Sequence, residues 1–155
     1  MSAESVRAWL DQHAPELRLI DQAQSTATVA EAAATLGVEP GRIAKALAFR
    51  VGETAMLLVA RGDARLDNAR TKAELGGRPR MLDAEATLAL TGHAVGGVCP
   101  FGLATDLPVL CDRSLLTYET VFPAAGSRTS SIEITPARLA ELTSARWVDI
   151  CKLPD

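Results

Sequence analysis

Aromatic side chains are scarce in this chain: of 155 residues, two are Trp, one is Tyr and three are Phe. The core must therefore be built mainly from Ala, Leu and Val, and stacking platforms for single-stranded nucleic acid are not expected. Histidine is equally thin, with His13 and His93 alone, so no histidine-based metal centre is expected and the metal count is set at none. Cys99, Cys111 and Cys151 are odd in number and lack zinc-finger spacing, which favours a reducing cytoplasm over a disulfide framework. No apolar run approaches the roughly 18 residues of a membrane span. The opening Met-Ser-Ala-Glu-Ser carries no basic region ahead of an apolar one, so neither a signal peptide nor an anchor is expected.

What is present suits one folded unit over residues 1–155, since 48% of residues are hydrophobic and no linker, repeat or low-complexity tract divides them. The net charge of −3 argues against a general nucleic-acid binder, and no DNA partner is expected. Charge is uneven, however. Residues 61–80 hold six basic side chains against three acidic ones, a local +3. A solvated helix face with its flanking loops accounts for this, and a patch touching a few phosphates is the sharper alternative.

Residues 4–13 read as an amphipathic helix with Val6, Trp9, Leu10 and His13 near one face. Thr28-Val29-Ala30-Glu31 is a capping box ahead of a helical stripe that stops at Gly37. Asp67 and Asp83 are expected to cap two short helices, and Thr135-Pro136 to open a last one. Apolar runs at 43–49 and 55–60, turning at Gly52-Glu53, predict a hairpin, with further strands at 107–111, 117–122, 130–134 and 147–150. Strands and helices mix without strict βαβ alternation. The expected class is α+β, a bent, barrel-like mixed sheet surrounded by helices.

In the strand at 43–49, alternation places Lys45 on one side with Ile43, Leu47 and Phe49, and Ala44, Ala46 and Ala48 on the other. A lysine among apolar neighbours either snorkels to water or meets an anion that comes and goes. The segment 91–102, Thr-Gly-His-Ala-Val-Gly-Gly-Val-Cys-Pro-Phe-Gly, is a glycine-rich loop whose backbone can approach a ligand closely. It has neither the Gly-Lys-Ser/Thr ending of a Walker loop nor a dinucleotide fingerprint. Ala124-Ala125-Gly126-Ser127-Arg128 is a small-residue turn between strands, and Asp112 either orients a ligand or caps the next turn. A covalent mechanism would make Cys99 the nucleophile and His93 its base, but no third orienting group accompanies them.

Taken in order, Ile-Ala-Lys-Ala-Leu, the Gly-x-x-x-Pro loop from Gly96 to Pro100, Leu-Pro-Val-Leu-Cys-Asp, and Ala-Gly-Ser-Arg followed by Ile-Glu-Ile resemble the YbaK and prolyl-tRNA synthetase-associated editing domains. The likeness runs over residues 25–142. It implies a free-standing deacylase that cleaves the ester between a wrong amino acid and the terminal adenosine of a tRNA, typically tRNA-Pro. A prolyl-tRNA synthetase is the implied partner, and no cofactor is implied.

By that resemblance Lys45 contacts the phosphate near the terminal adenosine and Gly96 contributes loop backbone around the aminoacyl group. Thr26, Gly97, Val98, Cys99, Pro100, Phe101, Gly102, Asp112, Ala125, Gly126 and Ser127 are the implied substrate-binding positions. Water attack is assisted by a hydroxyl or thiol of the substrate, in keeping with a sequence that announces no Ser-His-Asp set or carboxylate pair. The chain departs from the cysteine-removing branch at Ala124, where that branch has serine, and at Ser131, where it has aspartate. Its Val-Cys-Pro-Phe-Gly loop looks more like branches that clear alanine or other small residues. A module that binds aminoacyl-tRNA without hydrolysing it would need the same residues, and turnover is what separates the two.

Overall fold

Hydroxyl and carboxylate caps start four of the five α-helices of the computed structural model, which describes residues 2–154. Helix α1 (Ser2–His13) buries Val6 and Leu10, whereas His13 is exposed and stacks on Trp9 with ring centroids 4.3 Å apart. Thr28 caps α2 (Val29–Leu36) by accepting from the Glu31 amide at 3.1 Å, and the Glu31 carboxylate accepts the Thr28 hydroxyl. Asp67 caps α3 (Asn68–Leu75), Asp83 caps α4 (Ala84–Thr91), and Thr135 caps α5 (Pro136–Thr143), where Pro136 stands at a position that needs no amide donor.

Strand β1 is Ile20–Asp21, β2 is Ile43–Val51, β3 is Thr54–Arg61, β4 is Arg65–Leu66 and β5 is Arg80–Met81. Further along come β6 (Val109–Asp112), β7 (Phe122–Pro123), β8 (Ser130–Ser131), β9 (Arg146–Val148) and β10 (Cys151–Lys152). The main sheet runs β5-β2-β3-β6-β9, with β7 joined to β2. β2 and β3 form the expected antiparallel hairpin, while β3–β6 and β6–β9 are parallel. The mixed α+β class is as expected, but β5 and β9 stay at opposite ends, so the sheet bends without closing into a barrel. Two small pairs, β1–β8 and β4–β10, flank it.

Both sheet faces are covered. Val59 and Cys111 pack with Val6 and Leu10 of α1, Leu139 of α5 and Ile132 in one cluster. Phe49, Leu58 and Leu110 pack with Val148 and Ile150 in a second. Burying alternate residues of β3 on opposite sides explains why its central residues read as a continuous apolar run.

Three expected strands are corrected. Residues 117–122 do not form a strand: Arg113–Thr117 is a 3₁₀ turn, and only Val121 bridges Ile134 before β7 begins. The turn wins because the Asp112 carboxylate accepts the Ser114 amide at 2.9 Å, capping it locally, and Leu115 is fully buried in that conformation. The strand expected at 130–134 shrinks to β8, with single bridges at Ser131 and Ile134. The strand at 147–150 divides into β9 and β10, because the Ile150 and Cys151 amides turn inward to Asp112.

Candidate functional site

One edge of β2 is paired at both ends and open in the middle. β7 pairs with Ile43 and Ala44, and β5 with Phe49 and Arg50. The Ala48 carbonyl on this edge accepts the Leu82 amide at 3.0 Å. Two residues back, antiparallel alternation turns the Ala46 backbone groups toward the same opening. A cavity of about 260 Å³ occupies the gap. Ala44, Ala46 and Ala48 line it because three alanines in alternation leave room that larger side chains would fill. Thr26, Thr28 and Val29 close one side, Phe122, Ala124 and Ser131 another, and Val95, Gly96 and Val98 come from the glycine loop.

That loop is held by backbone contact with the second small-residue turn. The Gly126 amide donates to the Gly97 carbonyl at 3.1 Å. A Cβ on Gly97 would lie 2.8 Å from the Ser127 nitrogen and 2.9 Å from the Gly126 carbonyl carbon, so only glycine allows this approach. Gly96 has φ +100°, a conformation side chains resist. Thr26 ties a third segment in, since both its amide (2.6 Å) and its hydroxyl (3.1 Å) donate to the Arg128 carbonyl.

Lys45 is among the residues around the cavity, and its ammonium donates to the Ala64 carbonyl on the sheet face opposite the three alanines. By register it shares a face with Ala60 of β3. Burial lowers its pKa, with the Cys151 and Asp63 charges working the other way and Arg65 adding to the lowering. Asp63 itself is held by Arg61, whose guanidinium donates to both carboxylate oxygens at 2.6 and 3.0 Å. Of the basic residues at 61–80, Arg61 and Arg70 are thus tied up, the latter with Asp149 and the Cys151 carbonyl. Arg65, Lys72, Arg78 and Arg80 are exposed and form no ion pair among the described residues.

Of the positions singled out from sequence, Thr26, Lys45, Gly96 and Val98 therefore meet at one cavity, and Gly97 and Gly126 form the seam behind it. The others stand elsewhere. Cys99, Phe101 and Ala125 are fully buried in the main core, and Pro100 is buried beside them. Gly102 abuts the Ser5 backbone of α1. Ser127 spends its hydroxyl on Ser130. Asp112, 1% exposed, is not at the cavity: its carboxylate accepts the Ser114, Ile150 and Cys151 amides at 2.9, 2.8 and 3.2 Å, so it caps a turn and holds the start of β10 against the end of β6. Sequence reasoning missed Ala32, Leu82, Thr87 and Phe122 as lining residues; their only sequence signal was that of ordinary helix and strand positions.

Cys99 and His93 do meet, with Sγ 3.6 Å from Nε2, but both are fully buried, and the His93 ring nitrogen also bonds the Phe101 carbonyl at 2.7 Å. Burial pushes the Cys99 thiol up to about 12 and His93 down from its ordinary value. A thiol held there is a core side chain and not a nucleophile. Among the described residues no Asp, Glu, His or Cys lines the cavity, and its polar side chains are threonines, a serine and Lys45. Among the described residues no hydrogen bond engages the Val95, Gly96 or Val98 amides, which leaves three donors on the cavity-lining part of the loop.

The fold is an α+β domain with a small cavity at a sheet edge, roofed by a glycine loop. The chain is a member of the aminoacyl-tRNA editing domain family, whose model matches residues 23–142. It is 47% identical over 154 residues to the uncharacterized protein YwhH of Bacillus subtilis (strain 168), covering 98% of each chain. It is 31% identical over 121 residues to the proline–tRNA ligase of Shouchella clausii (strain KSM-K16), a match covering 76% of this chain and 21% of the ligase. A crystal structure of a proposed trans-editing enzyme for prolyl-tRNA synthetase superposes with a TM-score of 0.89 at 36% identity, covering 97% of both chains. The resemblance to prolyl-tRNA synthetase-associated editing domains therefore holds, and with it an editing role. No helix among the described residues is long and apolar enough to cross a membrane.

Proposed function

We propose that this chain is a trans-editing hydrolase that removes alanine, or another small amino acid, from mischarged tRNA-Pro. The observation that carries the reading is the cavity itself: about 260 Å³, floored by alanines and roofed by the Gly96 loop. That is just under the roughly 300–1,000 Å³ of ordinary small-molecule pockets, a size for an aminoacyl group with the terminal nucleotide left outside. The ester carbonyl sits under the loop, where the Gly96 and Val98 amides meet the negative charge that develops on its oxygen. Water attacks the ester carbon, aided by a hydroxyl of the substrate's ribose, and its proton passes to the departing ribose oxygen. Catalysis then rests on positioning and charge stabilisation.

Lys45 serves the tRNA end. Exchanging a neutral carbonyl for a phosphate gives the ammonium a charged partner in place of a dipole, which favours its release from Ala64 when substrate arrives. Ala124 and Ser131, the two departures from the cysteine-removing branch, both line the cavity, which supports alanine over cysteine as the group removed. The protein's net negative charge favours a prolyl-tRNA synthetase as the source of contacts to the tRNA body.

The test is release of labelled amino acid from tRNA-Pro charged in turn with alanine, serine, cysteine and proline, with the protein at catalytic concentration. Multiple turnovers on alanine, with proline spared, are expected. Stoichiometric binding without release would make the chain a carrier of aminoacyl-tRNA, and preference for cysteine would overturn the assignment of the pocket.

A further inference from the structure

The cavity has a second cation at its rim that the Lys45 reading leaves unused. Arg128 is exposed and lies directly against Gly96: a Cβ built on that glycine would come within 3.1 Å of Arg128 Cγ and 3.2 Å of Nε. The residue is anchored from behind, because its carbonyl takes both the amide and the hydroxyl of Thr26. Its guanidinium, by contrast, makes no hydrogen bond or ion pair among the described residues. Asp21 of the neighbouring strand β1 is taken up by the Thr129 and Ser130 hydroxyls at 3.4 and 3.5 Å. No Asp or Glu lines the cavity either, so nothing there competes for the charge.

We infer that Arg128 binds a phosphodiester of the substrate's 3′ end, and that Gly96 lacks a side chain partly so that Arg128 can lie across the loop to reach it. The inference rests on the tRNA-editing reading and names a binding residue for it. The arginine fork matches two phosphate oxygens at once, which a lysine point charge does not. Lys45, once released from Ala64, and Arg128 on the loop beside Gly96 then hold the 3′ end from two segments. The acceptor end is held by its backbone, and the aminoacyl group hangs into the cavity between them.

The experiment measures binding, so that it stands apart from turnover. A fluorescent RNA ending in CCA and carrying alanine through a non-hydrolysable 3′-amide is titrated against wild type, Arg128→Gln and Arg128→Lys. The corresponding alanylamido-adenosine, which has no phosphate, is measured by competition. Arg128→Gln should weaken the RNA about tenfold, as loss of a charge-assisted contact does, and leave the nucleoside unchanged. Arg128→Lys should recover part of the loss. The salt dependence of RNA binding should flatten by about 0.7 in the log–log slope, the share of one phosphate on a single strand. RNA affinity within twofold of wild type, equal losses for RNA and nucleoside, or no binding of the RNA by wild type would each overturn the inference. Wild type that binds the analogue with these ratios yet never turns over mischarged tRNA would instead overturn the hydrolase reading and leave Arg128 in place.

Discussion

The Gly126 amide donates to the Gly97 carbonyl at 3.1 Å, and through that bond two loops from distant parts of the chain share one seam behind the cavity. The seam sets the height of the glycine loop above the alanine floor. Its tolerance is small, since the atoms in contact are backbone and cannot swing aside.

Gly97→Ala should therefore open the seam. A Cβ 2.8 Å from the Ser127 nitrogen forces a backbone shift, costing about 1–3 kcal/mol, and should lower kcat/KM more than tenfold. Gly37→Ala is the control: its φ of +71° costs ~1–2 kcal/mol, with nothing within 4 Å of the new Cβ. Urea denaturation should show both destabilised, and the deacylation assay should show only Gly97→Ala impaired.

Lys45→Met loses a hydrogen bond to Ala64 worth roughly 1.5–3 kcal/mol as one with a charged donor, offset in large part by relief of the burial that already disfavours the ammonium. The melting temperature should fall by no more than ~2–4 °C while deacylation drops to background. Because the folded-state pKa lies below the ordinary 10.5, the native protein holds fewer protons than the unfolded chain between those two values. Stability of the wild type should then rise with pH across that window, and this increment should vanish in Lys45→Met. A variant that deacylates normally would remove Lys45 from the site.

Cys99→Ala should keep its turnover. With the thiol pushed up to about 12 there is almost no thiolate at neutral pH, so kcat should stay within about twofold of wild type. Loss of turnover in a folded Cys99→Ala protein would restore the covalent mechanism.

His93 makes stability sensitive to acid. Burial lowers its pKa below the ordinary 6.5, so the unfolded chain takes up a proton that the native protein refuses. Its contribution is fully present above pH 6.5 and is lost as the pH falls below that value. Denaturation midpoints measured from pH 7.5 downward should decline with a slope that His93→Gln reduces.

Asp112→Asn tests whether that residue belongs to the fold or to the ligand. An amide in place of the carboxylate turns a donor toward three backbone donors, and leaving one unsatisfied costs about 1–3 kcal/mol. Activity per folded molecule should be unchanged. A raised KM at unaltered stability would return Asp112 to the substrate-binding set.

The helices were legible because their signals are local. Thr28, Asp67, Asp83 and Thr135 each accept an amide three residues on, as a single sequence can show. The β2–β3 hairpin was legible for the same reason, through its apolar runs and the turn between them. Residues 117–122 misled because Thr, Tyr, Val and Phe all favour strands, whereas the turn Arg113–Thr117, held by the Asp112 carboxylate, runs into the start of the stretch and strand pairing begins only at Val121. Asp112 and Cys99 illustrate a further gap: a carboxylate or thiol in a promising stretch looks the same whether it faces a ligand or three backbone amides, or lies at the centre of the core.

The sequence by itself determined the class, the family and the chemistry available. The helix caps, the hairpin and the ordered motifs from Lys45 through the glycine-rich loop to Ile134 already marked the α+β class and the editing-domain resemblance. Only the tertiary structure decided where the pocket lies and which residues enter it. A cavity is made by what fails to pair, here the stretch of β2 between β7 and β5, and that gap depends on contacts between segments far apart in the chain. The same long-range packing gave Lys45 to the Ala64 carbonyl and left Arg128 unpaired beside Gly96.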